Sequence, residues 1–514
     1  MADDHTLNHP LDYFPPPTRL CPTFDGDTEW TPLVDGNTYL PELAATLRRC
    51  TRGDSVIVVG LELDPDLDLD GRPPGDPARD PLGGVLARIA ADGVEVRIVL
   101  ASRALAASVP GSVFGGFRAT AKNAERLRAL RVGTQRPLAG RVLLDFSGAF
   151  AGSNHQKAVV CRVGGETIGF VGGIDLVTDR FDGGPHDRLR LRGRRWGWHD
   201  MAVRVRGRGA EQVWQALRER WTEASDLPRR SYLRTPVNVA RLNPERPVGD
   251  PGPAEPTAPV AAPGTQVRVL RSVDRRKIAP VLPWHARAWD DTVRRPPTGV
   301  HEIFETLTAA IAAARRYVYI EDQYLDEELG GNRRFELFPA LRDAAARGVK
   351  VVLVGSGVRD PEDAGLHVGA INRRLNPDVR RKIVDRLPRE AQDAIALYRV
   401  ERVTVHSKLV LVDDVFACIG SANMFSRSMA GTDCELSVAV QTDTTLVRDL
   451  RVAVWGEHLR APLTGPVSAA LADLDTALGI WRAEWSGADP LLWRAAEHPA
   501  GFLPGERMLA LVGP

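Results

Sequence analysis

Two stretches of the sequence carry a His and a Lys two residues apart inside an apolar run: Asn154-His155-Gln156-Lys157-Ala158-Val159-Val160 and Val405-His406-Ser407-Lys408-Leu409-Val410-Leu411. On a strand, residues i and i+2 leave the same face, so each His-Lys pair can meet one substrate. The choice of Lys is selective, because only six lysines occur among 67 basic residues and two of them follow a His at this spacing. A lysine ammonium is a compact point charge for a phosphate oxygen, whereas a guanidinium fork imposes planar geometry. Phosphodiester cleavage needs a nucleophile, a proton donor for the leaving oxygen and fixed positive charge on the non-bridging oxygens. Two His and two Lys meeting on one phosphate supply all three. No His/Cys/Asp cluster has metal-ligand spacing along the chain, so no catalytic metal and no cofactor are expected.

Each run turns and returns to a Gly-rich corner, Val171-Gly172-Gly173-Ile174-Asp175 in the first half and Ile419-Gly420-Ser421-Ala422-Asn423 in the second. Together with Trp198-His199-Asp200, the run YIEDQYL from Tyr319 to Leu325, VHSKLVLVDD, IGSANMFSRSM and Asp433-Cys434-Glu435-Leu436, these stretches resemble the phospholipase D superfamily. Its signature is His-x-Lys-x-x-x-x-Asp twice per chain, and the likeness, strongest to the catalytic core of eukaryotic-type phospholipase D, covers most of the sequence. The resemblance implies an internally duplicated, bilobal α/β fold. Each half would be a mixed β-sheet flanked by helices, with a pseudo-two-fold active site between the halves.

The resemblance also implies a phosphohistidine intermediate, with His155 as nucleophile and His406 as general acid and then base, although symmetry alone does not assign these roles. A neutral nucleophilic imidazole needs its far nitrogen tied to an acceptor. The resemblance implies Glu435 as that acceptor in the second half, since the family keeps an acid there, and Asp200 occupies the corresponding place in the first. Asn423 can donate an amide N–H to phosphate, while Asp175, which cannot donate when ionised, is expected to order Lys157 or a loop. Glu321 and Gln323 lie at a strand end and are candidates for shaping a head-group pocket. Gly172, Gly173, Gly420 and Ser421 are read as structural corners.

The second motif is complete with Asp413, but the first carries Arg162 where the signature has Asp. Position i+7 has the opposite strand parity to i and i+2, and Arg162 precedes the turn Val163-Gly164-Gly165, so its side chain is expected to face away from substrate.

The chain that positions these residues has 514 residues, 43% hydrophobic and 26% charged, a composition typical of a soluble globular protein of two to four domains. A net charge of +1 argues against a dedicated nucleic-acid binder. Five scattered cysteines form no disulfide framework, and Cys161 and Cys418 read as core residues. The start has neither a basic n-region nor an apolar h-region, and no stretch approaches about eighteen uninterrupted apolar residues, so a cytoplasmic protein peripheral to a membrane is expected.

Helix, strand, helix, strand recurs in both halves. Leu40 to Cys50, Ser55 to Leu61, Leu82 to Ala91 and Val94 to Leu100 are matched after residue 300 by Ile303 to Ala314, Tyr317 to Ile320, Phe335 to Arg347 and Val349 to Val354. The phrase Ala-Ala-Asp-Gly-Val-Glu-Val-Arg at 90–97 corresponds to Ala-Ala-Arg-Gly-Val-Lys-Val-Val at 345–352. The expected division is a wrapping segment without its own core at 1–38, a first half at 39–243, a Pro/Ala-rich extended linker at 244–265 and a second half at 266–514. Arg180 to Arg195 and Arg359 to Tyr398 are insertions that differ between the halves and are candidates for the cleft rim.

The reading is a phosphodiesterase that cleaves the distal ester of a glycerophospholipid such as phosphatidylcholine at a membrane surface. Water or an alcohol would be the acceptor, and the protein would act as a monomer without nucleic acid. The alternatives are a phosphatidyltransferase of the cardiolipin-synthase kind and an inactive lipid-binding module.

Overall fold

The computed structural model describes residues 12–102, 115–145, 153–186, 189–191, 194–230, 243–273, 299–325, 333–356, 382–400, 403–459, 466–482 and 492–494. The first half contributes strands β1 (Phe24–Asp25), β2 (Thr28–Val34), β3 (Ser55–Gly60), β4 (Glu95–Ala101), β5 (Val142–Asp145), β6 (Ala158–Val163), β7 (Glu166–Gly172), β8 (Leu189–Leu191), β9 (Arg194–His199) and β10 (Met201–Gly207). The second contributes β11 (Thr265–Val273), β12 (Val300–His301), β13 (Tyr317–Asp322), β14 (Lys350–Ser356), β15 (Ile395–Val400), β16 (Val403–Val405), β17 (Leu409–Val412), β18 (Phe416–Gly420), β19 (Glu435–Thr442) and β20 (Leu492–Arg494).

The two main sheets share one topology. One runs β2-β10-β7-β6-β3-β4-β5, and the other contains β11-β19-β18-β17-β13-β14-β15 in the corresponding order. In each, three parallel strands (β3, β4, β5 and β13, β14, β15) abut an antiparallel meander at the same place. The duplication visible in the repeated phrase at 90–97 and 345–352 is thus a duplication of strand order and direction.

Alternation along the strands explains how each sheet is covered on both faces. Ile57 and Val59 of β3, with Tyr317 and Tyr319 of β13, enter a core shared by the two halves. Val56 and Val58 face an outer core under helices α1 (Gly36–Arg48) and α2 (Leu82–Ala91). Helix α3 (Gly115–Ala129) adds Ala124 and Leu127 to that outer core, and α4 (Arg208–Arg230) brings Trp214 and Trp221 into the shared one. In the second half Val318 and Ile320 face α5 (Glu302–Ala313) and α6 (Phe338–Ala346) in the other outer core. Two short helices follow, α7 (Arg389–Gln392) and α8 (Ser426–Met429), before α9 (Leu446–His458), whose Trp455 packs on Tyr319 in the shared core. The five cysteines are free and buried.

Three segments take definite places in the structure. The N-terminal segment does not merely wrap the body: β1 pairs with β11 and β2 with β10, and Trp30 is buried in the shared core. Its Thr28-Glu-Trp-Thr-Pro-Leu-Val run alternates, and the Pro-rich surroundings obscured that. The linker has no regular structure but is pinned to the first half, Gly249 O accepting from Arg97 and Glu245 accepting from the Gly140 N–H. Of the two insertions, Arg180 is buried and residues 395–400 form β15 inside the sheet, while residues 357–381 lie outside the described residues.

The motif acid has a structural task. Asp413, at φ 55 in the β17–β18 turn, accepts the backbone N–H groups of Arg315, Arg316 and Tyr317 at 2.7–2.8 Å and the Tyr13 hydroxyl at 2.9 Å. It thereby ties the hairpin to the loop that starts β13. In the first half the same link runs the other way: Asp54, in the loop that starts β3, accepts the Gly164 N–H of the β6–β7 turn at 3.0 Å. Arg162 is released from that duty. It pairs with Glu255 and lies over the Trp214 ring, 4.9 Å from its centroid. Five residues beyond Lys157, it sits about 16 Å along the strand from the site.

Replacing Asp413 by Ala leaves three backbone donors and a phenol without their acceptor. We expect a loss of about 2–4 kcal/mol of stability in urea unfolding. Arg162→Asp, which restores the signature, should change turnover less than about ten-fold, or about 1.4 kcal/mol in barrier height; a larger gain would place position 162 in the reaction.

Candidate active site

Each His-Lys stretch is the extended lead-in to a strand rather than part of it, since β6 opens at Ala158 and β17 at Leu409. The lead-ins are held across the interface between halves. The His155 N–H donates to Cys434 O at 2.9 Å and the Cys434 N–H to Ser153 O at 2.8 Å, as a parallel bridge beside Asn154. The His406 N–H donates to His199 O at 2.8 Å, where β16 runs parallel to β9. Cys434 and His199 each immediately precede an acid, so this pairing delivers Glu435 to His155 and Asp200 to His406.

The dyads are therefore crossed. His155 Nδ1 lies 3.1 Å from Glu435 Oε2 and 3.0 Å from Ser421 O, and His406 Nδ1 lies 2.7 Å from Asp200 Oδ2. Each acid thus meets the histidine of the opposite half. The neighbouring half presents its acid at the first residue of β19 or just ahead of β10. In both rings Nδ1 is tied down, which leaves Nε2 without a partner among the described residues.

The acids are fixed in turn. Ser421 Oγ donates to Glu435 Oε2 at 2.6 Å, and Ser428 Oγ donates to Oε1. Asp200 Oδ1 accepts the Met201 N–H at 2.8 Å. The glycine corners are required by this crowding: a Cβ on Gly173 would lie 2.1 Å from Asp200 Oδ1, and one on Gly420 2.0 Å from Ser437 Oγ. A Cβ on Gly172 would strike the β10 backbone.

Lys157 and Lys408 are both buried. Lys157 Nζ lies 3.4 Å from Asp175 Oδ2 and donates to His155 O at 3.3 Å, and Lys408 donates to His406 O. Asp175 also accepts the Glu62 N–H, so it orders the lysine and the loop after β3. Burial pulls the Lys408 ammonium down to about 8 against the Asp200 and Asp322 carboxylates, which favour its charge. Burial, then the Lys408, Arg180 and Lys157 cations, hold His406 well below its ordinary value, so it is neutral in the free protein. Burial raises Asp200, with Lys408 opposing.

Sequence reasoning missed several groups. Arg180 lies over the Trp198 ring at 3.3 Å from its centroid, and Trp198 in turn meets His406 edge-on at 5.6 Å. Asp322 accepts the Met424 N–H at 2.8 Å, and burial pushes its carboxyl up to about 7. The Glu-Asp pair within YIEDQYL is the sequence signal for it.

Glu321 does not shape a head-group pocket. It is fully buried, and its two oxygens are taken by His199 Nε2 at 3.0 Å, His458 Nε2 at 2.6 Å, Ser407 Oγ at 2.6 Å and the Tyr319 hydroxyl. Gln323 is half-buried in the bend beyond β13 and makes no hydrogen bond to the dyads among the described residues. Asn423 is buried in its corner with Oδ1 unpartnered. Ligand-type side chains that no sequence spacing links do come together in the fold. Asp35, His186, His199 and Glu457 converge in one group, and His199, Glu321 and His458 in another. No two ligands of the first group are close enough in sequence to look like a motif.

A family model described as "Cardiolipin synthase, PLD-like domain" matches residues 307–454, which include the whole second His-Lys hairpin. Phospholipase D beta 1 of Arabidopsis thaliana is 26% identical over 402 residues, spanning 60% of this chain and 37% of that protein. These matches support the phospholipase D superfamily for this chain. Phospholipase D alpha 4 of the same plant is 27% identical over 477 residues, spanning 74% of this chain and 58% of its own length. The chain thus spans about half the length, or less, of these superfamily relatives. The crystal structure of phosphatidylserine synthase from Haemophilus influenzae Rd KW20 shares the fold, with a TM-score of 0.51 at 11% identity over 81% of this chain and 83% of that one.

Because Lys408 titrates near 8, kcat/KM measured against pH should fall as pH rises through about 8, when the ammonium is lost. The limb in kcat should lie higher, since a bound phosphate anion favours the charged lysine. A kcat/KM that stays level about two pH units beyond that value would remove Lys408 from the phosphate site.

Proposed function

We propose that this chain is a phospholipase D-type phosphodiesterase acting on glycerophospholipids at a membrane surface, releasing phosphatidate and a head-group alcohol. The crossed dyads support this reading. Two imidazoles with Nδ1 tied to a carboxylate and Nε2 open, flanked by two buried lysines, suit in-line displacement at phosphorus.

In this reading His155 Nε2 attacks phosphorus and Glu435 stabilises the cation that develops on the ring. Lys157 and Lys408 neutralise the non-bridging oxygens, and Asn423 offers an amide N–H. His406 is neutral before substrate arrives; the phosphate charge offsets the cations that depress it, allowing the ring to take a proton and pass it to the leaving alkoxide. After the head group departs, His406 draws a proton from water or an alcohol, which attacks the phosphohistidine.

Among the described residues no helix is long and apolar enough to cross a membrane, which accords with substrate being met from the side. The family model's description favours a second reading, transfer of the phosphatidyl group to a lipid alcohol, which uses the same intermediate.

Mass-spectrometric products from a mixed phospholipid panel, with and without ethanol, separate the readings: phosphatidate and phosphatidylethanol for the first, a lipid-lipid transfer product for the second. His155→Ala and His406→Ala should each abolish turnover with the fold retained, and substantial activity in either would sink the two-dyad mechanism. Lys157→Arg and Lys408→Arg should fail as well, the fork being too large for the ammonium's place. Asp200→Asn should cut the rate about a hundred-fold or more by mispairing His406. A wild type inert on every phospholipid would leave the lipid-binding module.

A further inference from the structure

Beneath the Asp200–His406 dyad lies a buried polar cluster that the proposed chemistry does not use. Asp35, the residue before α1, His186 in the loop ahead of β8 and His199 at the end of β9 come from the first half, and Glu457 comes from α9 of the second. One atom of each, Asp35 Oδ1, His186 Nε2, His199 Nδ1 and Glu457 Oε1, points into a common space. His199 Nδ1 lies 2.6 Å from Glu457 Oε1 and 3.3 Å from Asp35 Oδ1, and His186 Nε2 lies 3.1 Å from Glu457 Oε1. All four fall within 4.8 Å of one another. Ligands about 2.0–2.2 Å from a tetrahedral ion are separated by about 3.3 Å, so this set is already near coordination spacing.

The far side of each imidazole carries the second observation. His186 Nδ1 lies 3.0 Å from Asp182 Oδ2, and His199 Nε2 lies 3.0 Å from Glu321 Oε2. Metal-bound histidines characteristically donate their other N–H to a carboxylate, which fixes the tautomer and orients the ring, and both rings here have that arrangement. The alternative is demanding. Without an ion, each ring has a carboxylate oxygen at both nitrogens and must carry two protons to satisfy them. Two imidazoliums would then sit buried with ring centroids 6.2 Å apart. One divalent ion supplies the same two charges and lets both rings be neutral donors. Asp35 Oδ2 and Asp182 Oδ1 are also buried with no hydrogen-bond donor, an excess of acceptor capacity that a cation answers. Asp35 and His186 hold positive-φ backbone conformations, at φ 59 and 46, that side-chain-bearing residues rarely adopt.

We infer that Asp35, His186, His199 and Glu457 form a structural site for a first-row divalent cation, zinc by its two-imidazole, two-carboxylate donor set, that staples the two halves together. The ion would lie behind the site rather than at the phosphate. It would act through His199, whose carbonyl accepts the His406 and Ser407 N–H groups, and through Asp35, whose Oδ1 accepts the Asp200 N–H at 3.1 Å. Glu457, the one ligand not fully buried, gives the route of entry.

Elemental analysis of the purified full-length chain tests this without reference to activity. Zinc at close to one equivalent per chain is expected, or its stoichiometric uptake by dipicolinate-stripped protein with a rise in melting temperature. Cobalt loading of the stripped chain should give the ligand-field bands of four-coordinate cobalt. His186→Ala and Glu457→Gln should lose the metal. A wild type that neither carries nor takes up zinc or cobalt overturns the inference even if the variants fail to fold, and variants that retain wild-type stoichiometry overturn the assignment of these ligands.

Discussion

The site depends on one backbone interaction made twice: the lead-in to each His-Lys strand is hydrogen-bonded to the residue before the acid of the opposite half. Cys434 O receives the His155 N–H and His199 O the His406 N–H. Because Glu435 and Asp200 follow directly, the backbone register places each carboxylate against the opposite imidazole. Neither half alone ties His155 or His406 to its carboxylate. Docking of the halves and assembly of the dyads are one event, and the apolar core that both sheets share around Trp214, Trp221 and Trp455 drives that docking.

Duplication constrains strand order tightly and local chemistry loosely. The two sheets agree strand for strand, yet their equivalent details diverge. Asp413 ties its hairpin to the loop before β13 by accepting three N–H groups, whereas Asp54 makes the matching tie from the loop side. Since only the tie must persist, its polarity could reverse and position 162 became available for Arg. The dyads diverge too. Two serine hydroxyls hold Glu435, while Asp200 leans on backbone N–H and faces the depressed His406. Two half-sites with one topology are thereby chemically unequal, as a reaction with distinct attacking and protonating groups requires.

Beneath the second dyad, buried polarity continues through His199 to Glu321, Glu457 and Asp35. Such a network is costly unless every member finds a partner, and it constrains side-chain geometry where it does. Glu321 meets four donors, which explains its burial and why it is unavailable to a head group.

The sequence by itself determined the duplication, the α/β class and the His155-Lys157 and His406-Lys408 pairs, because these are local properties: period-two apolar runs, a repeated phrase and residue types at fixed spacing; the acids at 200 and 435 came from the family resemblance. Arg162 lies over Trp214 on the face of the shared core, and it is distance along β6 that separates it from the site. Only the tertiary structure decided which acid meets which histidine, since that pairing runs between residues 280 and 206 positions apart. It alone gathered Asp35, His186, His199 and Glu457, which share no spacing and meet because two sheets dock face to face. The strand at Thr28–Val34 was hidden by its Pro and Asp surroundings and became evident through pairing with β10. Contacts across a docked interface leave no periodic trace in the chain, because the register that creates them belongs to the packing of two distant segments and to neither one alone.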